Sequence, residues 1–111
     1  MFALVVRFDL RGGTAAAFDD LVDETLALIR AREPGTVVYA CHRVEGSPDS
    51  RIFYELYESR SAFEEHESGE HVGRFLDERE RYLDGPPRVE FLDLPVRFQP
   101  AVVGGAERSR G

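Results

Sequence analysis

The side chains best suited to acid–base chemistry in this sequence are two histidines and a glutamate. His66 follows Ala62 and Phe63 at helical spacing, so we expect it to face inward with them. Imidazole changes charge near neutral pH, and His66 could therefore accept a proton from a phenolic or enolic substrate. It could equally fix its helix through a hydrogen bond to Glu55 or to a backbone carbonyl. The sequence leaves both roles open.

His71 lies just after the Ser68-Gly69 pair, in the first turn of the next predicted helix. There it would either line the mouth of a pocket or sit on the surface at a helix start. His66, His71 and Glu55 could in principle form a facial metal triad, but their spacing matches no recognised metal motif. We therefore predict no metal site, and we take these three residues as the candidate catalytic groups.

A flat aromatic substrate would need rings to stack on and a cation to balance a developing anion. His42 lies in the middle of a predicted strand and points to the same sheet face as Val38 and Ala40. Its role depends on which face of the sheet lines the pocket. An arginine, Arg74 or Arg43, is expected to stabilise the anion. The predicted substrate contacts are Phe53, Tyr54, Tyr57, Phe75, Arg74 and His42.

These side chains must be positioned by a small set of elements. Apolar runs that end at Gly and Pro predict strands, and apolar residues at helical spacing predict helices. Ser61 and Glu64 resemble a capping box for the short helix around His66. The predicted order is a strand at 2–9, a helix from 14 to 34, strands at 36–44 and 51–59 around a turn at 46–49, a short helix, a longer helix to 83, and a strand at 88–98.

This β-α-β-β-α-β order predicts an α+β, ferredoxin-like domain over residues 1–98, with a four-stranded antiparallel sheet and helices on one face. Residues 99–111 are Gly-rich and lose periodicity, which predicts a flexible tail. Both faces of the sheet are apolar, since Ile52, Tyr54 and Leu56 alternate with Phe53, Glu55 and Tyr57. We therefore expect a homodimer in which two sheets pack face to face.

Composition narrows the possible partners. The chain has 111 residues and a net charge of -7, which argues against nucleic acid as a ligand. One cysteine, Cys41, allows no internal disulfide and favours a cytoplasmic location, and no apolar run is long enough for a membrane span. The sequence contains no Lys, Asn or Trp, so lysine Schiff-base chemistry is excluded.

The segment YELYESRSAFEEHESGEHVGRF, from Tyr54 to Phe75, resembles the signature of the antibiotic biosynthesis monooxygenase domain. The strand GTVVYACHRV after Pro34 is similar to the second strand of that family. The resemblance implies a dimeric α/β barrel of ferredoxin-like subunits. Where the family commonly has Trp at the end of its third strand, this chain has Tyr57, while Glu55 and the two helical histidines are retained.

The family includes cofactor-independent quinol and anthrone oxygenases and haem-degrading enzymes. Haem degradation is disfavoured here because the family's haem degraders use Asn and Trp. The leading hypothesis is a cofactor-independent monooxygenase that oxidises a small aromatic, a quinol or a polyketide-like phenol, with O₂. Two alternatives share the fold: a cyclase or isomerase that uses the same groups without O₂, and a non-catalytic dimer that binds a small ligand.

Overall fold

The computed structural model describes residues 1–93 and consists of four strands and three α-helices. The elements are β1 (Phe2–Asp9), α1 (Ala15–Arg32), β2 (Thr36–Val44), β3 (Ser47–Tyr57), α2 (Arg60–Ser68), α3 (Glu70–Glu78), a 3-10 turn (Arg79–Tyr82) and β4 (Arg88–Leu92). The predicted strand at 88–98 is therefore described only to Leu92, and the predicted tail lies outside the described residues.

The sheet is antiparallel with strand order β2-β3-β1-β4, which confirms the predicted ferredoxin-like α+β fold. β1 is a central strand, with β3 on one side and β4 on the other. In the register of β1 and β3, Leu4 lies opposite Glu55 and Val6 lies opposite Phe53. Because strand side chains alternate between faces, Phe53 and Glu55 point to the helix side together with Leu4 and Val6.

An aromatic cluster fills the space between the sheet and the helices. Phe8 and Phe53 from the sheet meet Phe18 from α1 and Phe75 from α3, with ring centroids 4.7 to 6.5 Å apart. Phe8, Phe18 and Phe53 are at most 1% exposed. Burial of such rings is the main source of stability in a domain of this size, and here it holds α1 and α3 on one face of the sheet.

Two local predictions were wrong. The hairpin turn lies at Glu45-Gly46 rather than at 46–49, and Gly46 there adopts a positive φ of 78°, which glycine takes without steric cost. The N-cap of α2 is Ser59 rather than Ser61: its hydroxyl accepts a hydrogen bond from the Ala62 backbone N–H at 3.1 Å. Within residues 1–93, no helix is long and apolar enough to cross a membrane.

Candidate active site

The site is organised around Glu33, which directly follows α1. Pro34 cannot continue the helix, and the chain turns there into β2. The Glu33 carboxylate contacts three donors: Thr36 Oγ1 at 2.6 Å and His66 Nδ1 at 2.8 Å, both on Oε1, and His71 Nε2 on Oε2. Its side chain is only 8% exposed. One carboxylate therefore joins the end of α1 to β2, α2 and α3.

The break between α2 and α3 brings the two histidines together. Gly69 ends α2 and begins α3, and its N–H donates to the His66 carbonyl at 3.1 Å. His66 and His71 therefore project from two different helices onto the same carboxylate. Both are buried, with side chains 3% and 4% exposed. His71 is thus not the surface residue that one interpretation of the sequence allowed.

The charge on Glu33 sets the roles of the ring nitrogens. Burial opposes ionisation, but hydrogen bonds from Thr36, His66 and His71 outweigh it, and the pKa of Glu33 lies below its ordinary value. An ionised carboxylate only accepts hydrogen bonds, so His66 Nδ1 and His71 Nε2 must both donate. In neutral His66 the remaining nitrogen, Nε2, is then free to accept a proton.

Beyond His66 lies a second buried acid. His66 Nε2 is 3.9 Å from Oε1 of Glu55, and the Tyr57 hydroxyl donates to the same oxygen at 2.6 Å. Burial raises the pKa of Glu55, partly offset by the Tyr57 hydrogen bond. Burial also raises the pKa of Tyr57, which stays protonated as a donor. His66 therefore lies between two carboxyl groups: Glu33 is hydrogen-bonded to Nδ1, and Glu55 lies 3.9 Å from Nε2.

The free side of His66 opens into a cavity of about 230 Å³ between the sheet and helices α2 and α3. Its walls are mostly apolar, and its polar groups are few. Tyr39, whose ring is 5.4 Å from that of His66, is partly buried, and desolvation raises its pKa. The lining residues are Leu4, Val6, Phe8, Tyr39, Glu55, Phe63, His66, Glu67, Val72, Phe75, Leu76, Arg79, Val89 and Phe91.

Arg79 is the cation of this cavity. Its guanidinium lies over the rings of Phe8 and Phe75, 5.4 and 5.8 Å from their centroids. Burial lowers its pKa, and its Nε has no hydrogen-bond partner within residues 1–93. Glu80 approaches the same Nε only to 3.9 Å. A partly desolvated cation without a close acceptor is suited to binding an anionic group of a ligand.

The structure brings some of the predicted site residues together and separates others. His66, Glu55 and Phe75 line the cavity. His71 does not line it but shares the Glu33 carboxylate with His66, and the Tyr57 hydroxyl donates a hydrogen bond to Glu55. Phe53 is a core residue at 1% exposure.

The other predicted contacts lie away from His66. Tyr54 pairs across the sheet with Val5 and Ala40, on the face opposite the helices. His42 is exposed on edge strand β2 and, with Arg43, borders a different cavity beside α1. Arg74 is exposed and bound to Glu78 and Glu24. The role predicted for Arg74 or Arg43 is better filled by Arg79.

Three site residues were not identified from the sequence: Glu33, Tyr39 and Arg79. Glu33 was the only acidic residue next to the Pro34-Gly35 stop, a position that could have marked it. Arg79 was hidden in the charged run 77–81, which is typical of a solvated helix face. Within residues 1–93, no group of three or more His, Cys, Asp or Glu side chains is arranged to hold a metal ion.

Comparison with known proteins identifies the family. The family model of the antibiotic biosynthesis monooxygenases matches residues 1–78, so this chain belongs to that family. No curated protein is significantly similar to it.

Solved structures show the same fold at low sequence identity. A Caulobacter crescentus protein assigned to this family is 24% identical, with a TM-score of 0.80 over 85% of this chain and 89% of its own. A Mycobacterium tuberculosis protein is also 24% identical, with a TM-score of 0.80 over 89% and 98%. A Nitrosomonas europaea protein assigned to the family is 19% identical, with a TM-score of 0.77 over 84% and 97%. At these identities the structures support the fold alone.

Proposed function

We propose that this protein is a monooxygenase that deprotonates a small phenolic or quinol substrate and lets the resulting anion react with O₂. The observation that carries the proposal is the position of His66: Glu33 fixes Nδ1, and His66 lines a cavity in which its Nε2 has no closer acceptor than Glu55 at 3.9 Å among the described residues. Membership of a monooxygenase family supports the same reaction class. A cavity of about 230 Å³ favours a compact substrate of one or two rings.

The reaction needs no electrons from outside the substrate. A phenol with a hydrogen on the carbon to be oxidised gives its hydroxyl proton to His66 Nε2. The anion passes one electron to O₂, and the substrate radical and superoxide combine to form a C–O bond. The peroxide takes the proton back; loss of the C–H proton with cleavage of the O–O bond then releases water and leaves a carbonyl. One oxygen atom enters the product, the other enters water, and the substrate supplies all the electrons.

Besides His66, three charged or acidic residues have a part in this scheme: Glu33, Arg79 and Glu55. Glu33 holds His66 in the acceptor tautomer and stabilises the imidazolium that forms. Arg79 faces the anion that deprotonation creates, in an environment where a charge interaction is stronger than in water. The apolar walls surround much of the radical pair. Glu55 lines the same cavity and can accept a hydrogen bond from a substrate hydroxyl.

Oxygen uptake against a panel of one- and two-ring hydroquinones tests the proposal. We expect uptake above autoxidation and, with isotopically labelled O₂, one labelled oxygen atom per product. Product formed equally well under anaerobic conditions would instead identify a cyclase or isomerase. Ligand-induced thermal stabilisation with no turnover of any substrate would identify a binding protein.

Replacing Arg79 by Met should lower kcat/KM by about 10- to 100-fold, since the anion loses the counter-charge of a partly buried guanidinium. Met keeps the apolar stem over Phe8 and Phe75, so the fold should be retained. Arg74→Met is the matched control because Arg74 is exposed and outside the cavity. Equal kcat/KM values for the two variants would show that Arg79 does not take part in turnover.

We also propose that the protein is a homodimer through the uncovered face of the sheet. On that face Ala3, Val5, Ala40, Ile52, Tyr54 and Leu56 are only partly buried within one chain. An apolar sheet face of this extent is poorly solvated. A second sheet packed on it would bury these residues and give the α/β barrel that the family resemblance implies.

A charge placed on this face should break the dimer. We expect Leu56→Glu to give the mass of a monomer in light scattering at concentrations where the unaltered protein gives that of a dimer, since the new carboxylate would be buried without a partner. Val37→Glu is the control: Val37 is 47% exposed but lies beside α1, at the border of another cavity. A monomeric mass for the unaltered chain at every concentration would contradict the proposal.

A further inference from the structure

His71 differs from His66 in the surroundings of its second ring nitrogen. Its Nε2 is bound to Glu33, whereas its Nδ1 is buried and has no hydrogen-bond partner among the described residues. Buried polar atoms are nearly always paired, so an unpaired one points to a function. His71 borders a second cavity of about 260 Å³, between the end of α1 and the junction of α2 with α3. His66 is the one residue that lines both cavities.

Gly69 allows the His71 ring to occupy this position. A Cβ on Gly69 would lie 2.7 Å from His71 Cε1 and 3.1 Å from Nδ1. The backbone of Gly69 has φ -68° and ψ 142°, which any residue can adopt. Glycine is therefore needed at position 69 to leave room for the His71 ring, not to allow the backbone conformation.

The two histidines compete for a single negative charge. Glu33 can compensate one imidazolium, on His66 or on His71, but a second positive charge in the same buried site would be uncompensated. Protonation of one ring therefore disfavours protonation of the other. Groups coupled in this way titrate as a unit rather than one by one.

The surrounding charges do not remove this competition. Around His66 the other titratable groups are Glu55, Tyr57, Tyr39, Arg79 and the exposed Glu67. Tyr39 and Tyr57 stay neutral because their pKa values are raised, and the pKa of Glu55 is also raised. The second cavity adds Arg32, Glu65 and Glu70. Those three residues are exposed, so solvent screens their effect on the buried rings.

We propose that Glu33 joins His66 and His71 into one coupled proton site, in which the carboxylate compensates a proton on His66 Nε2 or on His71 Nδ1 but not on both at once. A proton taken up at His66 Nε2 then makes a second proton on His71 less favourable, while both N–H donors to Glu33 remain in place. The source of the proton rests on the proposed function, whereas the coupling does not.

Heteronuclear NMR titration of the histidine ring nitrogens tests the coupling without any substrate. In the unaltered protein we expect the signals of His66 and His71 to shift together in two shared steps. His71→Gln keeps a donor toward Glu33 but cannot exchange a proton, so His66 should lose one of its two steps. Thr36→Val is the control, because it removes a hydrogen bond to Glu33 and should leave both steps in place.

Two single-step curves in the unaltered protein, or a His66 curve that His71→Gln leaves unchanged, would overturn the coupling. If His71→Gln does not fold, Gly69→Ala displaces the His71 ring and should remove the same step. Oxygen uptake separates this inference from the proposed function. Shared titration steps without oxygen uptake would refute the oxygenase and support the coupling. Oxygen uptake with independent titrations would support the oxygenase and refute the coupling.

Discussion

Replacing His66 by Asn is expected to lower kcat/KM for oxygen-dependent turnover by about 10²- to 10⁴-fold, the usual contribution of a general base. Asn places an amide N–H near the position of Nδ1 and can still donate to Glu33, so the contact between α1 and α2 should be retained. What the variant lacks is the acceptor at Nε2. The loss should therefore appear in turnover, with little change in the urea midpoint of unfolding.

The control for this variant is the same substitution at His42. That histidine is exposed on edge strand β2 and does not line the cavity of His66, so His42→Asn should turn over at the rate of the unaltered protein. Full activity in His66→Asn would mean that another group removes the substrate proton. Glu55 would then be the next candidate, because it lines the same cavity and lies 3.9 Å from His66 Nε2.

The fold was predictable because its signals are local. The β-branched and aromatic runs, the Pro34-Gly35 stop and the Ser68-Gly69 break each act within a few residues of the chain. The same local signals placed His66 on an inward helix face and His71 just after a helix break, and the structure agrees with both positions. The chain order alone was then enough to predict the sheet with helices on one face.

The site was less predictable because its key contacts are distant in sequence. Glu33 meets residues 33 and 38 positions further along the chain, and no spacing rule links them. Arg79 was missed for a different reason. Arg79 shares the helical face of Val72 and Phe75, which are buried, so spacing alone would have turned it inward. Its charge, within the charged run 77–81, instead suggested a solvated position.

Removing the charge of Glu33 should affect stability and turnover together. In Glu33→Gln the amide can accept fewer hydrogen bonds, and its NH₂ group must face one of the donors that the carboxylate now receives. Breaking a buried charged network in this way costs about 3 kcal/mol of unfolding free energy. Turnover should fall as well, since nothing then holds His66 in the tautomer that leaves Nε2 free.

The pH dependence of this loss has a definite sign. The pKa of Glu33 in the folded protein lies below its ordinary value of 4.5, so the carboxylate stabilises the fold fully above that pH. As the pH falls through the folded value, the carboxyl is protonated and its contribution disappears. The difference in unfolding free energy between the unaltered protein and Glu33→Gln should therefore be full at neutral pH and shrink in acid. Urea unfolding at several pH values measures it, with exposed Glu65→Gln as the control. A difference that stayed constant into acid would show that Glu33 is not ionised in the folded protein, and the acceptor role assigned to His66 Nε2 would lose its basis.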